Sequence, residues 1–453
     1  MADIIRIKKG LDIPLGGAAS EKHTSDTSTD SFGIVPDDFP GHKWKCAVKP
    51  GDQVKIGSEL LHSKDYNTVK LVSPVAGIVT EVRRGERRKI EAVVVSTEHQ
   101  STDSECDSYR QFNVPAIDSD REAILTLLCE TGLFALIHQR PYDIIPDPTI
   151  IPRDIFVTAF DSAPLASDLI SFDMKDMHEK GLEVLSKLTE GNVYLGIRYD
   201  SEISSRYAKI YEFAGPHPAG NVGVQIANIR PVNRGEVVWT LDSRTVVRIG
   251  RLFSTGTIDN TAEVIICGDM AKNPHIIDTK VGASLKSILR NELRDDAENI
   301  RVINGNVLTG IKSNIQKDFL RFPYRQITLI AEGDNANEFM GWASLRPSKF
   351  SVKRSFPSFF LGKRGNYKFD ARLLGGRRAM ILSGEFDKVF PMDIYPEFLL
   401  KAIIAGDIEK MEQLGIYEVA PEDFALPEFV DTSKEPLQQI VRDGLTRLRN
   451  ELA

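Results

Sequence analysis

The stretch from Val48 to Leu61 reads VKPGDQVKIGSELL, and it leaves this chain few ways to fold locally. Gly51 and Gly57 supply turn conformations closed to other residues, while Val48, Val54 and Leu60 recur at sixes between them. A second strand–turn–strand signal follows at Ser73-Pro74-Val75-Ala76-Gly77-Ile78-Val79. Short strands on tight turns fill only one region of 453 residues, a length that suggests about three domains. With 42% hydrophobic and 27% charged residues, a sizeable core is available. The 57 basic against 64 acidic side chains leave a net charge of −7, which argues against a dedicated nucleic-acid binder.

The two turn signals together resemble the lipoyl/biotinyl-type barrel-sandwich fold. Carrier domains of that fold place a lysine about eight residues before the proline of the second turn. Here that register falls on Tyr66, with Lys64 two residues off, so a swinging-arm carrier is disfavoured and a docking or scaffold module is expected. The basic hairpin Arg83-Arg84-Gly85-Glu86-Arg87-Arg88-Lys89 follows, with Gly85 expected at its turn. Its plain reading is a solvated charged turn. The sharper one gives Arg84, Arg87 and Arg88 to anionic lipid or an acidic partner.

Elsewhere the patterning alternates. Ile4 to Ile7 reads as a strand, Ser20 to Ser31 as a mobile polar loop, and Glu98 to Ser108 as a linker. Asp120 to Gln139 carries a helical pattern, Ile155 to Phe160 a buried strand, Met174 to Leu188 a helix and Val193 to Ile197 a second buried strand. That alternation predicts an α/β unit with a largely parallel sheet. From about residue 261, strands at Glu263–Gly268 and Val302–Gly310 flank a helix entered through Gly282-Ala283-Ser284, an order that fits a β-grasp domain. Helices are expected at Pro396–Gly406 and Glu435–Leu452.

No self-contained catalytic motif is present. The four cysteines form no CxxC, there is no phosphate-cradling glycine loop, and no apolar run reaches the length of a membrane span. Two strings remain as candidate chemistry. Gly215-Pro216-His217-Pro218-Ala219-Gly220 is stiffened by prolines and opened by glycines, as a ligand-lining loop at a sheet's carboxyl edge requires; a structural role for His217 is the competing reading. His138-Gln139-Arg140 follows an apolar helix beside Phe134. A quinone needs an apolar wall and hydrogen-bond donors at its carbonyls, which Phe134, His138, Arg140 and His217 would supply. The competing reading is a helix C-terminus decorated with basic residues. The turns at Gly375-Gly376-Arg377-Arg378 and Pro391 to Ile394 carry no assignable chemistry.

Taken in order, Lys8 to Pro14, the Gly51-Asp52 signal, Ser73 to Val79, Arg84-Gly85-Glu86, Gly215 to Gly220, Val281 to Leu285, Arg377 to Met380 and Met392-Asp393-Ile394 form one set. That set resembles the A subunit of the sodium-translocating NADH:quinone reductase over essentially the full length. The resemblance implies an α+β multidomain chain: a barrel-sandwich domain over 1–110, and a Rossmann-like α/β domain over 111–260 related to the NADH-binding subunit of complex I. A β-grasp (SLBB-like) domain over 261–332 and a helical C-terminal region over 333–453 would complete it. It further implies a peripheral subunit on the cytoplasmic side of the bacterial inner membrane, with five other subunits as partners, above all the integral-membrane quinone and flavin subunit. FMN, riboflavin, FAD and iron–sulfur groups are expected in those subunits and none on this chain. Where some relatives carry a C-x-x-x-C string near the C-terminus, Pro427 and Asp431 stand here, and no cluster forms without thiolates. Two roles follow: a subunit that shapes a quinone site, or a purely structural docking subunit.

Overall fold

The computed structural model describes residues 3–20, 23–26, 28–98, 109–167, 174–294, 299–334, 349–352 and 366–452. The N-terminal segment is shared out: β1 (Asp3–Arg6) pairs in parallel with a strand of the α/β domain, and β2 (His23–Ser25) joins the edge of a third sheet. The expected loop from Ser20 to Ser31 therefore contains a strand. Its polar composition hid this because an edge strand is held by backbone bonds, here extended by Asp26 N donating to Asp278 O at 2.9 Å, rather than by burial.

The barrel sandwich follows, built from β3 (Ser31–Ile34), β4 (Trp44–Cys46), β5 (Gln53–Val54), β6 (Glu59–Ser63), β7 (Lys70–Val72), β8 (Gly77–Arg84) and β9 (Ile90–Ser96). Sheets β3-β9-β8-β5 and β4-β6-β7 face each other over a core that includes Val54, Leu60, Leu61 and Val79. Gly51 and Gly57 hold φ of 95° and 85°, the left-handed turns that the VxxGDxVxxG spacing requires. Tyr66 Oη, at the β6–β7 tip, donates to Asp147 Oδ2 at 2.6 Å, so the tip is docked on the next domain. In the basic β8–β9 turn the left-handed positions are Arg87 and Arg88, with φ of 51° and 61°, while Gly85 is extended at φ −95°. A Cβ on Gly85 would meet only the mobile tip of the exposed Glu91 side chain, so neither φ nor space demands glycine there.

The linker expected at Glu98–Ser108 lies outside the described residues after Glu98. The α/β domain then runs α1 (Arg121–Glu130), β10 (His138–Arg140), β11 (Ile155–Thr158), α2 (Lys175–Ser186), β12 (Val193–Arg198), β13 (Lys209–Ala214), α3 (Val222–Ile229), β14 (Val238–Asp242) and α4 (Ser243–Thr255). The sheet order is β1-β13-β12-β11-β14-β10, parallel except for β10. Its strands read as apolar runs because both faces are covered. Ile155, Val157, Leu195 and Leu241 share a core with Leu182 and Leu185 of α2 and Val246 and Ile249 of α4, whereas Phe156, Tyr194 and Val238 pack with Ile226 of α3.

The helix expected over Asp120–Gln139 is corrected to α1 alone. Asp120 caps it by accepting from Ala123 N, and Gly132 at φ 77° stops it. The apolar spacing persists beyond Gly132 only because Leu133 to Leu136 form a buried 3₁₀ turn. His138–Arg140 is consequently an edge strand antiparallel to β14, not a helix end, and the helix-dipole reading of its basic residues falls with it.

The third domain comprises β15 (Thr261–Cys267), β16 (His275–Lys280), α5 (Leu285–Ile288), β17 (Ile300–Asn304), β18 (Ile311–Ser313) and β19 (Gln326–Ala331). Its sheet order is β18-β17-β19-β15-β16-β2 with β19 parallel to β15, one mixed sheet that crosses over through the expected short helix. The C-terminal region contributes α6 (Pro396–Ala405), α7 (Ile408–Gln413), α8 (Ala425–Val430) and α9 (Leu437–Leu452). Gly406 ends α6 at φ 71° as expected. These helices share a second core with Phe160, Phe213 and Val224, which fixes them against the α/β domain.

Candidate functional site

The chain passes β11, β12, β13 in one direction across the sheet and then returns to place β14 on the other side of β11. Open α/β sheets bind ligands at the carboxyl ends of the two strands where the order reverses. Here those ends are Thr158 and Asp242. Both line an open cleft of about 420 Å³, bordered also by Tyr324 and Arg325 of the third domain and by Glu422 of the C-terminal region. That volume lies within the range of small-molecule sites.

Of the residues singled out from the sequence, His138, Arg140 and His217 line this one cavity. Phe134 does not. It is fully buried and packs edge-on against Trp239, with ring centroids 5.6 Å apart, inside the core of the sheet's α4 face. The correction has a simple cause: once the backbone leaves the helix at Gly132, Phe134 and His138 no longer share a helical face. The apolar wall is instead Phe160, Leu241, Ile265, Phe322 and Pro421. Arg84, Arg87 and Arg88 are exposed on the barrel and take no part in the cavity.

His217 is held by its loop on three sides. Its N–H donates to Asp12 Oδ1 at 2.9 Å, its carbonyl accepts from Leu11 N at 2.8 Å, and Nδ1 shares a 3.0 Å hydrogen bond with Ser162 Oγ. Ser162 Oγ also accepts from Gly220 N at 2.9 Å. The Ser162 hydroxyl can donate to Nδ1 or accept from it, and the tautomer of the ring follows from that contact. Burial pushes the imidazole down to about 4 against the opposing pull of Asp12, so the ring is uncharged at neutral pH.

The opposite wall is ionic. Arg140 is buried; its Nη2 donates to Glu422 Oε1 at 2.8 Å and its Nη1 lies 3.8 Å from Asp423 Oδ2. Neither Nε nor Nη1 of Arg140 has a hydrogen-bond partner, an unusual state for a buried guanidinium. His138 Nδ1 bonds Asp143 Oδ1 at 3.0 Å. Asp143 also accepts from Arg442 Nη2 at 2.6 Å. Burial works to raise the Asp143 carboxyl, but Arg140, His138 and Arg442 hold it well below the usual carboxylate range. Burial, opposed by Arg140, raises both carboxyls of the Glu422–Asp423 pair. Asp423 sits against the first turn of α3, close enough that a Cβ on Gly223 would stand 2.5 Å from its Oδ1.

Sequence reasoning missed Asp12, Asp143, Ser162, Asp242, Tyr324, Arg325, Glu422 and Asp423. Most are distant in the chain from the residues they meet, and only Asp143, in the turn after Pro141 with Tyr142 and Asp143 at φ 83° and 52°, was within local reach. The carboxyls of Asp143, Asp161, Asp242 and Glu422 outnumber the guanidiniums of Arg140 and Arg325. A polyphosphate would therefore be repelled, whereas a flat neutral ligand with two acceptors meets donors on both walls.

Among the described residues no three His, Cys, Asp or Glu group as a metal-ligand set. Burial drives the thiols of Cys129 and Cys267 up to about 12, away from thiolate chemistry. Pro427 is buried in α8, and Asp431 accepts from Ser433 N at 2.9 Å and Glu435 N at 2.8 Å, shaping the entry to α9. Neither position fits an iron–sulfur cluster.

One pH dependence follows from burial. His217 and His178, whose Nε2 bonds Ser243 Oγ at 3.0 Å, are each held down to about 4 by desolvation. Below the unfolded value of about 6.5 the unfolded chain takes up protons that these folded rings refuse, so stability falls as pH drops from there to about 4. Each ring accounts for on the order of 3 kcal/mol when the drop is complete. The raised carboxyl of Asp38, desolvated beside Arg321, acts in the opposite sense over the same window. Urea unfolding between pH 7 and 4 should show a shallower fall in His178→Asn than in the unmodified chain; parallel curves would contradict it.

Three family models match this chain: the NqrA N-terminal barrel-sandwich hybrid domain over residues 5–98, the NqrA second alpha/beta domain over 119–258 and the NQRA C-terminal domain over 264–314. A Saccharophagus degradans protein named as the A subunit of Na(+)-translocating NADH-quinone reductase is 35% identical, over 99% of this chain and 100% of its own length. Its namesake from Hahella chejuensis is 36% identical over the same shares. Among solved structures, an NAD+-reducing [NiFe]-hydrogenase in the air-oxidized state covers 74% of this chain and 62% of its own at 13% identity, with a TM-score of 0.36, too slight to bear on the fold.

Proposed function

Because the chain belongs to the NqrA family, that of the A subunit of the Na(+)-translocating NADH-quinone reductase, we propose that it supports the quinone-reduction step of that enzyme complex by holding a quinone head in the cavity at the carboxyl edge of its parallel sheet. The observation that carries this reading is the meeting of His138, Arg140 and His217, remote in sequence, around one cavity with an apolar wall. One quinone carbonyl accepts from the His217 imidazole and the other from the Arg140 guanidinium, with His138 beside them. Two electrons and two protons turn quinone into quinol; the electrons come from a neighbouring subunit, and this chain's part is to bind, orient and hold protons nearby.

In this proposal the subunit carries no redox cofactor, and FMN, riboflavin, FAD and iron–sulfur groups reside on its five partner subunits. Its principal contact is the integral-membrane quinone and flavin subunit, and it engages no nucleic acid. Among the described residues no helix is long and apolar enough to cross a membrane, which agrees with a peripheral place on the cytoplasmic face of the bacterial inner membrane. Kinship of the α/β domain with the NADH-binding subunit of complex I belongs to the same reading.

Equilibrium titration of the isolated chain with a water-soluble short-tailed quinone tests it. Saturable binding that His217→Ala weakens by about tenfold, the value of one or two lost hydrogen bonds, is expected. Non-saturating partition would instead favour a purely structural docking subunit. That second reading draws on the hydrogen bonds that already occupy Nδ1 of both His138 and His217.

The barrel hairpin bears on docking. Arg83 donates to Lys317 O at 3.0 Å and Lys89 pairs with Asp37 at 2.7 Å, so both are committed within the chain. Arg84, Arg87 and Arg88 stand exposed. Replacing these three with Gln should weaken assembly with the partner subunits or anionic lipid while the thermal midpoint of the isolated chain stays unchanged. Undiminished co-purification of the triple variant would remove the hairpin from the interface.

A further inference from the structure

Five apolar side chains stand on one exposed face of the C-terminal region, and none of them is buried by the described residues. Ile381, Leu382, Tyr395, Phe398 and Ile404 are each more than half exposed. Isolated surface apolars are ordinary, but a contiguous group is not. Contiguity is fixed by Glu397, whose buried Oε1 accepts from Ser383 N, Ser383 Oγ and Gly384 N, each at 3.0 Å. That clamp sets Ile381 and Leu382 against the first turn of α6, where Tyr395 and Phe398 meet edge-on with centroids 6.2 Å apart. Phe398, Lys401 and Ile404 then follow at intervals of three along the outer side of α6.

The chain from 373 to 382 takes no regular secondary structure. Arg378 N donates to Ser433 O at 2.9 Å and Ser433 Oγ to Ala379 O at 3.3 Å. Apart from these two bonds, its backbone groups have no partner among the described residues. Three cations, Arg377, Arg378 and Lys401, are exposed within the face, with Asp387 and Asp393 the exposed acids in the turn between its two parts.

These features choose among occupants. Burial in lipid hydrocarbon would strand a row of unpaired N–H and C=O groups at several kcal/mol each, so a bilayer does not cover this face. A second copy of the chain, meeting it across a two-fold axis, would bring two copies of the same basic face together. A polypeptide with an apolar contact side and flanking carboxylates satisfies all three: it buries the apolars, pairs the open backbone and answers the cations. We infer that the face formed by residues 377–382 and the outer side of α6 docks an apolar, acid-flanked segment of another subunit of the complex. This rests on the chain's family membership and is independent of any quinone at the cavity.

The test uses the whole complex carrying Leu382→Asp/Phe398→Asp, with Arg377→Glu/Arg378→Glu as a second variant that leaves the apolar residues in place. Both should leave the thermal midpoint of the isolated chain unchanged, because every altered side chain is exposed. Both should cut the amount of this chain that co-purifies with its partners by roughly tenfold, as the loss of a central contact does. Retention of both variants at full stoichiometry overturns the inference. So does binding of the unmodified isolated chain to phosphatidylethanolamine–phosphatidylglycerol vesicles that the variants lose, or a dimer of the isolated chain that the variants dissolve.

Discussion

Arg140→Met lowers the unfolding free energy by about 3–5 kcal/mol at neutral pH, the usual cost of deleting one partner of a buried ion cluster. Arg140 is buried beside Asp143 and Asp423, with the more exposed Glu422 at its outer edge, so its removal strands two carboxyls in a poorly solvated site. The pH dependence separates this cause from lost packing, since methionine keeps most of the volume. In the unmodified protein the Asp143 carboxyl is held low, and its stabilising share is present above about pH 4 and lost as pH falls. Without Arg140 the Asp143 carboxyl keeps only His138 and Arg442 against burial, and the Glu422–Asp423 pair, already raised, loses the charge that opposed the rise, so the variant gains stability relative to the parent as pH falls from 7 to 5. Urea titrations at the two pH values measure both effects. A loss below about 1 kcal/mol, typical of exposed pairs, or a gap that fails to narrow, would show that the cluster is solvated after all.

Phe134→Ala costs a similar amount for an unrelated reason. Its ring is fully buried against Trp239 and leaves a void that the rigid sheet cannot close, a change worth about 3–5 kcal/mol. Because Phe134 stands outside the cavity, the variant that remains folded should bind a short-tailed quinone as the parent does. Weaker binding, measured below the variant's unfolding transition, would return Phe134 to the site.

The contrast between these two residues shows what could be read from the sequence. The barrel was legible because Gly51 and Gly57 tie a φ requirement to a fixed spacing of buried Val54 and Leu60. The parallel sheet was legible because strands covered on both faces must be apolar throughout. His217 was legible as a loop residue at a carboxyl sheet edge, since prolines and glycines announce their constraints locally. The helical pattern expected over Asp120–Gln139 ends at one residue, Gly132, whose left-handed turn no apolar periodicity records. Polar β2 escaped notice because an edge strand needs no apolar side chains. Asp12 meets His217, and Glu422 meets Arg140, only after three domains close around the sheet edge; separations of 205 and 282 residues carry no local signal.

Photo-crosslinking of the intact complex with an azido-quinone tests the central claim most directly. The account predicts label on peptides of this chain containing residues 131–142 and 213–224, suppressed by excess unmodified quinone. Label confined to the membrane subunit, with none on those two peptides, would contradict it.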